Sequence, residues 1–368
     1  MMNKKVLFIA NHAGFSKFNV PYFEWFRRQG WIVHNASPGL ETGVVDRQIN
    51  VPIERNPLAF RNLVAFCKLW KLCRENEYDM IHCHTPVGGV LGRLCGLACK
   101  KTKVIYTAHG FHFYHGGPLK NWMLYYSIEK LLSEITDAVV TINEEDYALA
   151  TRRFSHPKVF YIGGVGVDLN RFRPFHSDEE KQAFRKLLGI SWDDFAMIYV
   201  AQFIPRKNHG FLLQQISKLK AEIKNLKLLL VGSGPDLEKI KSLADRLHIS
   251  ENVLCLGYRT DVEKLYAASD LLVSASLMEG FGINLVEGMG CALPVLCADI
   301  RGHRDIVRVA PLNRLFRFDD GSFRESVLQF YQNKNLREKV GKENRRLSYS
   351  FSVDSSVEKM AEIYRLYM

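Results

Sequence analysis

Apolar and polar positions fall into two alternating patterns along this chain. Short apolar runs at residues 6–10, 32–35, 80–84, 103–107, 138–142 and 159–162 read as buried strands. Between them, residues 22–29, 60–75, 122–133 and 144–154 repeat their apolar positions at helical spacing. Strands that alternate with helices predict βαβ units and a parallel sheet. The pattern breaks at residues 163–174, Gly-Gly-Val-Gly-Val-Asp-Leu-Asn-Arg-Phe-Arg-Pro, which read as an interdomain linker. A second series of strands follows at 196–201, 226–232, 253–256, 271–274 and 294–298. Two similar α/β domains are therefore expected, rather than a repeat array. Ligands of such open sheets bind beyond the carboxyl ends of the strands, so two facing sheets would place the site in the cleft between them.

Composition narrows the class. The 368 residues are 47% hydrophobic and 24% charged, as in a globular protein. No apolar run reaches the roughly 18 to 20 residues of a membrane-spanning helix. The first apolar stretch follows Met-Met-Asn-Lys-Lys and is too short for a signal peptide, so a cytoplasmic protein is expected. Eight cysteines show neither a CxxC pair nor zinc-like spacing and read as reduced core residues. The net charge is +11, and the basic excess sits early: 22 Lys and Arg against 14 Asp and Glu through Arg173, then 28 against 25. Such a surface suits phosphorylated substrates or anionic lipid. No nucleic-acid motif accompanies it, and no nucleic-acid partner is expected.

Three segments carry candidate chemistry. Gly232 and Gly234 follow a strongly apolar strand, where backbone amides can approach a phosphate; a tight turn without ligand is the alternative. Arg206 and Lys207 lie just past another strand, as a diphosphate requires; a solvated basic turn is the alternative. The third segment runs Glu279-Gly-Phe-Gly-Ile-Asn-Leu-Val-Glu287. Gly280 and Gly282 permit a turn into a helix, and Phe281 offers an apolar wall. The amides of Gly282, Ile283, Asn284 and Leu285 would point at a ligand from the helix N-terminus. Glu279 before the helix and Glu287 within it can bond different parts of one extended ligand. His82 and His84 share one face of a strand with Asp79 nearby, which raises a metal site as an alternative to a plain strand.

Together these stretches resemble the retaining glycosyltransferases of family four, the group one transferases of bacterial capsule, exopolysaccharide and O-antigen synthesis. The resemblance extends along most of the chain. It rests on Ile81-His-Cys-His84, Tyr106-Thr-Ala-His-Gly110, Gly166-Val-Asp168, Gly232-Ser-Gly-Pro235, Leu256-Gly-Tyr258, the two glutamates eight residues apart, and Arg301-Gly-His-Arg-Asp305. It implies the GT-B fold: two Rossmann-like domains facing a cleft, at residues 1–168 for the acceptor and 169–350 for the donor. Residues 351–368 would form a helix that packs back on the first domain.

The resemblance also implies roles. Glu287 would bind the ribose, Glu279 the donor sugar, Lys207 the diphosphate, and His109 would lie beside the transferred sugar. Gly14 would approach the diphosphate, and Tyr258 would join the donor site. Gln202 stands where the family carries an arginine, so Arg206 would supply that charge. Ala13-Gly14 replaces a double glycine, and residues 309–316 lack the usual glycine. No cofactor and no metal are implied.

The implied reaction moves a sugar from a nucleoside diphosphate, UDP in the first instance and a UDP-HexNAc among the candidates. The acceptor would be polyprenyl-diphosphate-linked or an oligosaccharide. A nucleotide-sugar epimerase and a non-catalytic nucleotide-sugar-binding scaffold are the competing readings. Residues 60–75 place Phe60, Leu63, Val64, Cys67 and Trp70 among Arg61, Lys68, Lys71 and Arg74. That helix would lie on the inner face of an anionic membrane, or pack on the sheet with a cationic outer face.

Overall fold

The computed structural model describes residues 3–39, 43–319 and 321–368, without the side chains of Ala13, Ser16 and Lys17. The chain forms two compact units, residues 1–166 with 353–368, and residues 167–352.

The first unit is built on β1 (Lys5–Ile9), β2 (Ile32–Ser37), β3 (Arg47–Asn50), β4 (Met80–His84), β5 (Lys103–Ala108), β6 (Ala138–Thr141) and β7 (Lys158–Tyr161). They pair in parallel in the order β3-β2-β1-β4-β5-β6-β7. Val6, Leu7, Phe8 and Ile9 are fully buried, because helices cover both faces of a parallel sheet. The edge strand β3 has no apolar run in its sequence Arg-Gln-Ile-Asn, which is why periodicity misses it.

The helices of this unit are α1 (Ala13–Arg28), α2 (Phe60–Asn76), α3 (Pro86–Gly96), α4 (Leu119–Asn121), α5 (Ser127–Ser133) and α6 (Glu144–Arg153). A π-helical turn, Trp122–Tyr126, joins α4 to α5. Helix α1 begins nine residues before the expected start at Tyr22 and carries Pro21 in its interior. Proline removes one backbone donor, so the sequence reads as a boundary there. Buried aromatic packing of Phe23 and Phe26 on Phe8 overrides that preference, with ring centroids 4.8 and 5.9 Å apart.

The second unit contains β8 (Phe195–Val200), β9 (Leu226–Val231), β10 (Val253–Gly257), β11 (Leu271–Ser274), β12 (Val295–Ala298) and β13 (Arg314–Phe316). Their parallel order is β10-β9-β8-β11-β12-β13. Strand β13 has three residues and lies in the segment the sequence left unassigned. The helices are α7 (Asp178–Leu187), α8 (His209–Leu219), α9 (Leu237–Arg246), α10 (Val262–Ala268), α11 (Ile283–Gly290), α12 (His303–Val309), α13 (Ser322–Gln332) and α14 (Lys334–Ser348). The last helix, α15 (Val353–Arg365), belongs to the first unit. It packs on α1 through Tyr364, whose ring lies 4.6 Å from that of Phe26, and through the Tyr22–Ser356 hydroxyl bond of 2.8 Å.

In each sheet the strand order reverses once, between β1 and β4 and between β8 and β11. Connections leave to opposite sides at such a point and open a crevice at the carboxyl ends of the two strands. All eight cysteines are free; Cys67 is exposed on α2, contrary to its expected place in the core.

Candidate functional site

In the second unit the crevice lies beyond β8 and β11. Past β8, exposed Gln202 leads into a 3-10 turn, Pro205–Lys207. Past β11, the chain reaches Glu279. Lys207 Nζ donates to Glu279 Oε1, and Arg206 Nη1 reaches Glu279 Oε2 at 3.4 Å and Met278 O at 2.7 Å. Glu279 is nearly buried. Burial alone would raise its carboxyl pKa, but the Lys207 charge and hydrogen bond, with Ser276 and Arg206, hold it below the ordinary value. The Tyr199 hydroxyl bonds both sides of the crevice, Lys207 O at 3.0 Å and Ser276 Oγ at 2.8 Å. Sequence reasoning missed Tyr199 and Ser276, because neither stands in a recognisable motif.

Helix α11 starts one residue after Gly282, whose φ is +99°. A Cβ on Gly282 would lie 2.9 Å from His303 Cδ2, so backbone conformation and space both require glycine. Gly280 faces the neighbouring loop, where a Cβ on Gly302 would lie 2.9 Å from the Gly280 carbonyl carbon. The amides of Gly282, Ile283 and Asn284 head the helix before its first internal bonds. Two expectations are corrected here. The Leu285 amide donates to Gly282 O at 2.9 Å and does not face a ligand. Phe281 is buried against Phe351, with ring centroids 5.6 Å apart, and forms no exposed wall. Asn284 Nδ2 donates to Val200 O at 3.4 Å, which fastens the helix start to the end of β8.

Glu287 lies one turn inside α11 and accepts from the Tyr266 hydroxyl at 3.1 Å. Burial pushes its carboxyl up to about 7, against the opposing Tyr266 hydrogen bond. Gly232 and Gly234 have φ of +146° and +157°, and side chains there would strike the carbonyls of Ala201 and Phe203. Close passage of two loops thus accounts sterically for both glycines. The Gly232 amide donates to Gly257 O at 2.8 Å. Tyr258 follows β10 and is 76% exposed.

In the first unit the crevice lies beyond β1 and β4, beside β5. Gly14 sits in the first turn of α1 rather than in a free loop, its amide donating to His12 Nδ1 at 3.0 Å. The next residue, Phe15, meets the His109 ring edge-on at 4.5 Å between centroids. His109 follows β5 and bonds His84 through Nε2 and Nδ1, 3.2 Å apart. His82 is fully engaged, with Tyr364 Oη at 2.7 Å and Thr107 Oγ1 at 2.8 Å. Burial pushes His82 and His109 down to about 3, and His84 well below its ordinary value. Among the described residues, no three His, Cys, Asp or Glu side chains converge on a point that could hold a metal ion.

An apolar groove of about 670 Å³ adjoins the ends of β1, β4 and β5, lined by Leu58, Val87, Val90, Leu91, Leu124 and Ile128. Arg55, His12 and His112 add polar groups to its wall. Helix α2 packs inward through Ala65, Leu69, Leu72 and Cys73. Phe60, Leu63 and Val64 of the expected apolar face are exposed instead, so a second apolar stripe points outward. No helix among the described residues is long and apolar enough to cross a membrane.

Two Rossmann-like units, one with a carboxylate and two cations at its switch point, define the architecture of the GT-B glycosyltransferases. Residues 180–347 match the family model for glycosyl transferases group 1, and residues 5–143 match that for glycosyl transferase 4-like domains. The chain belongs to this family of glycosyltransferases. It is 41% identical over 374 residues to EpsD of Bacillus subtilis (strain 168), named as a glycosyltransferase, covering 100% of this chain and 98% of that one. An Escherichia coli relative is 23% identical over 84% of this chain and 81% of its own length. It is named a UDP-Gal:α-D-GlcNAc-diphosphoundecaprenol α-1,3-galactosyltransferase. Among solved structures, Anabaena HepE in complex with UDP has a TM-score of 0.80 at 18% identity, over 99% of this chain and 100% of that chain.

Proposed function

We propose that this glycosyltransferase moves a hexosyl or N-acetylhexosaminyl residue from a UDP-sugar to a lipid-linked acceptor of bacterial surface polysaccharide, with retention of configuration. The observation that carries the reading is the cluster of Lys207, Arg206 and Glu279 at the β8/β11 switch point, beside the N-terminus of α11.

In the proposed reaction the bond from the anomeric carbon to the β-phosphate oxygen breaks, and its electron pair stays on that oxygen. Lys207, Arg206 and the α11 amides stabilise the charge that develops there. The acceptor oxygen bonds to the anomeric carbon on the face the phosphate leaves, and its proton passes to the departing phosphate. Glu279, held ionised by Lys207, accepts hydrogen bonds from donor-sugar hydroxyls. Glu287, beside Tyr266, accepts from the ribose. Gln202 leaves the phosphate charge to Arg206 and Lys207. The chemistry calls on no metal.

The apolar groove of the first unit supports a lipid-bearing acceptor. Its volume of about 670 Å³ lies in the range of small-molecule sites. Its polar wall at the strand ends suits a diphosphate or sugar head, and its apolar lining suits the first units of a polyprenyl tail. The exposed stripe of α2 and the early basic excess fit attachment to an anionic membrane.

The test is a thermal-shift screen of UDP- and GDP-sugars. Transfer to polyprenyl-diphosphate-linked and tail-less acceptors follows, with the product's anomeric configuration read by NMR. A shift by GDP-sugars alone would remove UDP, and an inverted product would remove retention. Release of an epimer of the donor sugar without transfer would favour the epimerase.

A further inference from the structure

A polar cavity of about 430 Å³ lies at the amino ends of β8, β11 and β12. Among its lining residues, Phe195 begins β8, Asp270 immediately precedes β11 and Pro294 immediately precedes β12. Lys207 and Glu279 stand past the opposite, carboxyl ends of β8 and β11. The cavity is therefore at the other edge of the same sheet and shares no residue with the donor crevice. Helix α7 contributes Lys181 and Arg185 to it, and α14 contributes Arg337.

Three cations gather there around one carboxylate. Asp270 Oδ1 accepts from Lys181 Nζ at 3.4 Å. Asp270 Oδ2 accepts from Arg185 Nη2 at 2.8 Å and from the Ala196 amide at 2.9 Å. Arg337 stands over the Phe195 ring, 5.4 Å from its centroid. Burial pulls Lys181 and Arg337 below their ordinary pKa values, and the Arg185 charge pulls the same way, against Asp270 and against Asp178 and Glu338. The remaining acids of the lining do not close this excess. Asp178, Asp193 and Glu338 are exposed, Glu338 with Lys334 at 3.9 Å. Asp194 accepts from the Ser191 amide at 2.8 Å.

Arg185 is 3% exposed, and its donors are only partly matched. Nη1 donates to Trp192 O at 3.0 Å, and Nη2 to Asp194 O at 2.9 Å as well as to Asp270. Its Nε is buried with no partner among the described residues. An ion network that served only to tie α7 to the sheet would be expected to satisfy such a donor, because a buried charged group left unmatched is costly. An external acceptor that is anionic and carries several oxygens answers both features at once. It would take the bare Nε proton and relieve the crowding of Lys181 and Arg337. A phosphate group has that chemistry, and guanidinium donors are well suited to it. The cavity volume lies in the range of small-molecule sites, and the half-exposed Trp192 ring on its lining could pack on a sugar or a base.

We propose that Lys181, Arg185 and Arg337 form an anion site, distinct from the donor crevice, that takes a phosphate group, either free or carried by a sugar or a nucleoside. Its existence does not depend on the proposed transfer reaction.

The test is calorimetry on the full chain at matched ionic strength with inorganic phosphate, glucose 1-phosphate and UMP. Each titration is repeated in Lys207→Ala, which weakens the donor crevice and leaves this cavity intact. Saturable phosphate binding is expected in both proteins, and the tightest of the three probes identifies the carrier. Lys181→Gln and Arg337→Gln should each weaken that binding about tenfold. The donor KM should stay within about twofold in both. Arginine Nε–H NMR of the wild type reads the site without relying on a variant that folds: the Arg185 signal should move as phosphate is added. Absence of saturable binding would overturn the proposal, and the cations would then be a structural knot. Binding lost in Lys207→Ala but kept in Arg337→Gln, or an Arg185 signal that stays in place, would overturn it too.

Discussion

Lys207 and Glu279 pair across 72 residues of sequence, and their ion pair joins the carboxyl ends of β8 and β11. In the proposed reaction, a cation fixed by a nearly buried carboxylate is already oriented before a diphosphate arrives, so little reorganisation remains for the chemical step. Lys207→Ala is expected to lower kcat about 100- to 1,000-fold in a transfer assay. Glu279→Ala should lower it as well, through lost contact with the sugar and a less constrained Lys207. Unchanged turnover in both variants would remove the cluster from the active site.

With Glu287 as the proposed ribose acceptor, donor binding should depend on pH. Its carboxyl is pushed up to about 7, so the ligand-free protein favours the protonated form below that value. The contribution to stability is fully present below the unfolded carboxyl's pKa and is lost as pH rises through about 7. The predicted cost of ionisation by pH 8 is about 1–3 kcal/mol. Urea titrations at pH 5 and pH 8 should show it in the wild type and not in Glu287→Gln. A ribose needs the ionised carboxylate as acceptor, so UDP should bind more tightly at pH 8 than at pH 6. Calorimetry on Glu287→Gln should give weak, pH-independent binding.

Gly282→Ala puts a Cβ at φ +99° and 2.9 Å from His303 Cδ2. Backbone strain of this kind costs about 1–3 kcal/mol. The variant should melt earlier in calorimetry and lose affinity for the donor, because the α11 amides shift with the turn. An unchanged melting temperature would mean that the loop relaxes without penalty.

Arg93 is completely buried and pairs with Glu129 at 2.7 Å, while its guanidinium lies 4.1 Å from the centroid of Tyr106. Tyr106 donates to the other oxygen of Glu129 at 3.2 Å. Glu129→Ala leaves a buried cation without its partner and should cost about 3–5 kcal/mol in urea unfolding. Replacing Arg93 and Glu129 together by apolar residues should recover part of that loss. If the double variant is no more stable than Glu129→Ala, the uncompensated charge is not the cause.

The outward stripe of α2 predicts membrane association. The wild type should sediment with anionic vesicles at low salt and release as salt rises, since exposed charges are screened beyond about 10 Å at 0.1 M salt. Converting Phe60, Leu63 and Val64 to serine should reduce sedimentation without changing donor affinity. Equal sedimentation of wild type and variant would assign the stripe to another role.

Much of the fold was legible because its strands are parallel and buried on both faces. Such strands must be apolar along their length, and β1, β4, β8 and β9 show it. Strands β3 and β13 were missed because their short sequences, Arg-Gln-Ile-Asn and Arg-Leu-Phe, hold no sustained apolar run. Tyr266 and Tyr199 carried no signal, since each acts only through a partner from another element, and His303, read only as part of the 301–305 motif, meets Gly282 only in the fold.

The sequence by itself determined the two-domain α/β plan, the family, and the candidacy of Lys207, Glu279, Glu287 and His109. It could do so because local spacing writes turns, helix starts and strand ends directly into residue order. Only the tertiary structure decided which candidates meet. It paired Lys207 with Glu279, buried Phe281 against Phe351, turned Leu285's amide inward and drew Lys181, Arg185 and Arg337 around one polar cavity. Those choices depend on strand order and packing between segments far apart in the chain, which no single stretch of sequence encodes.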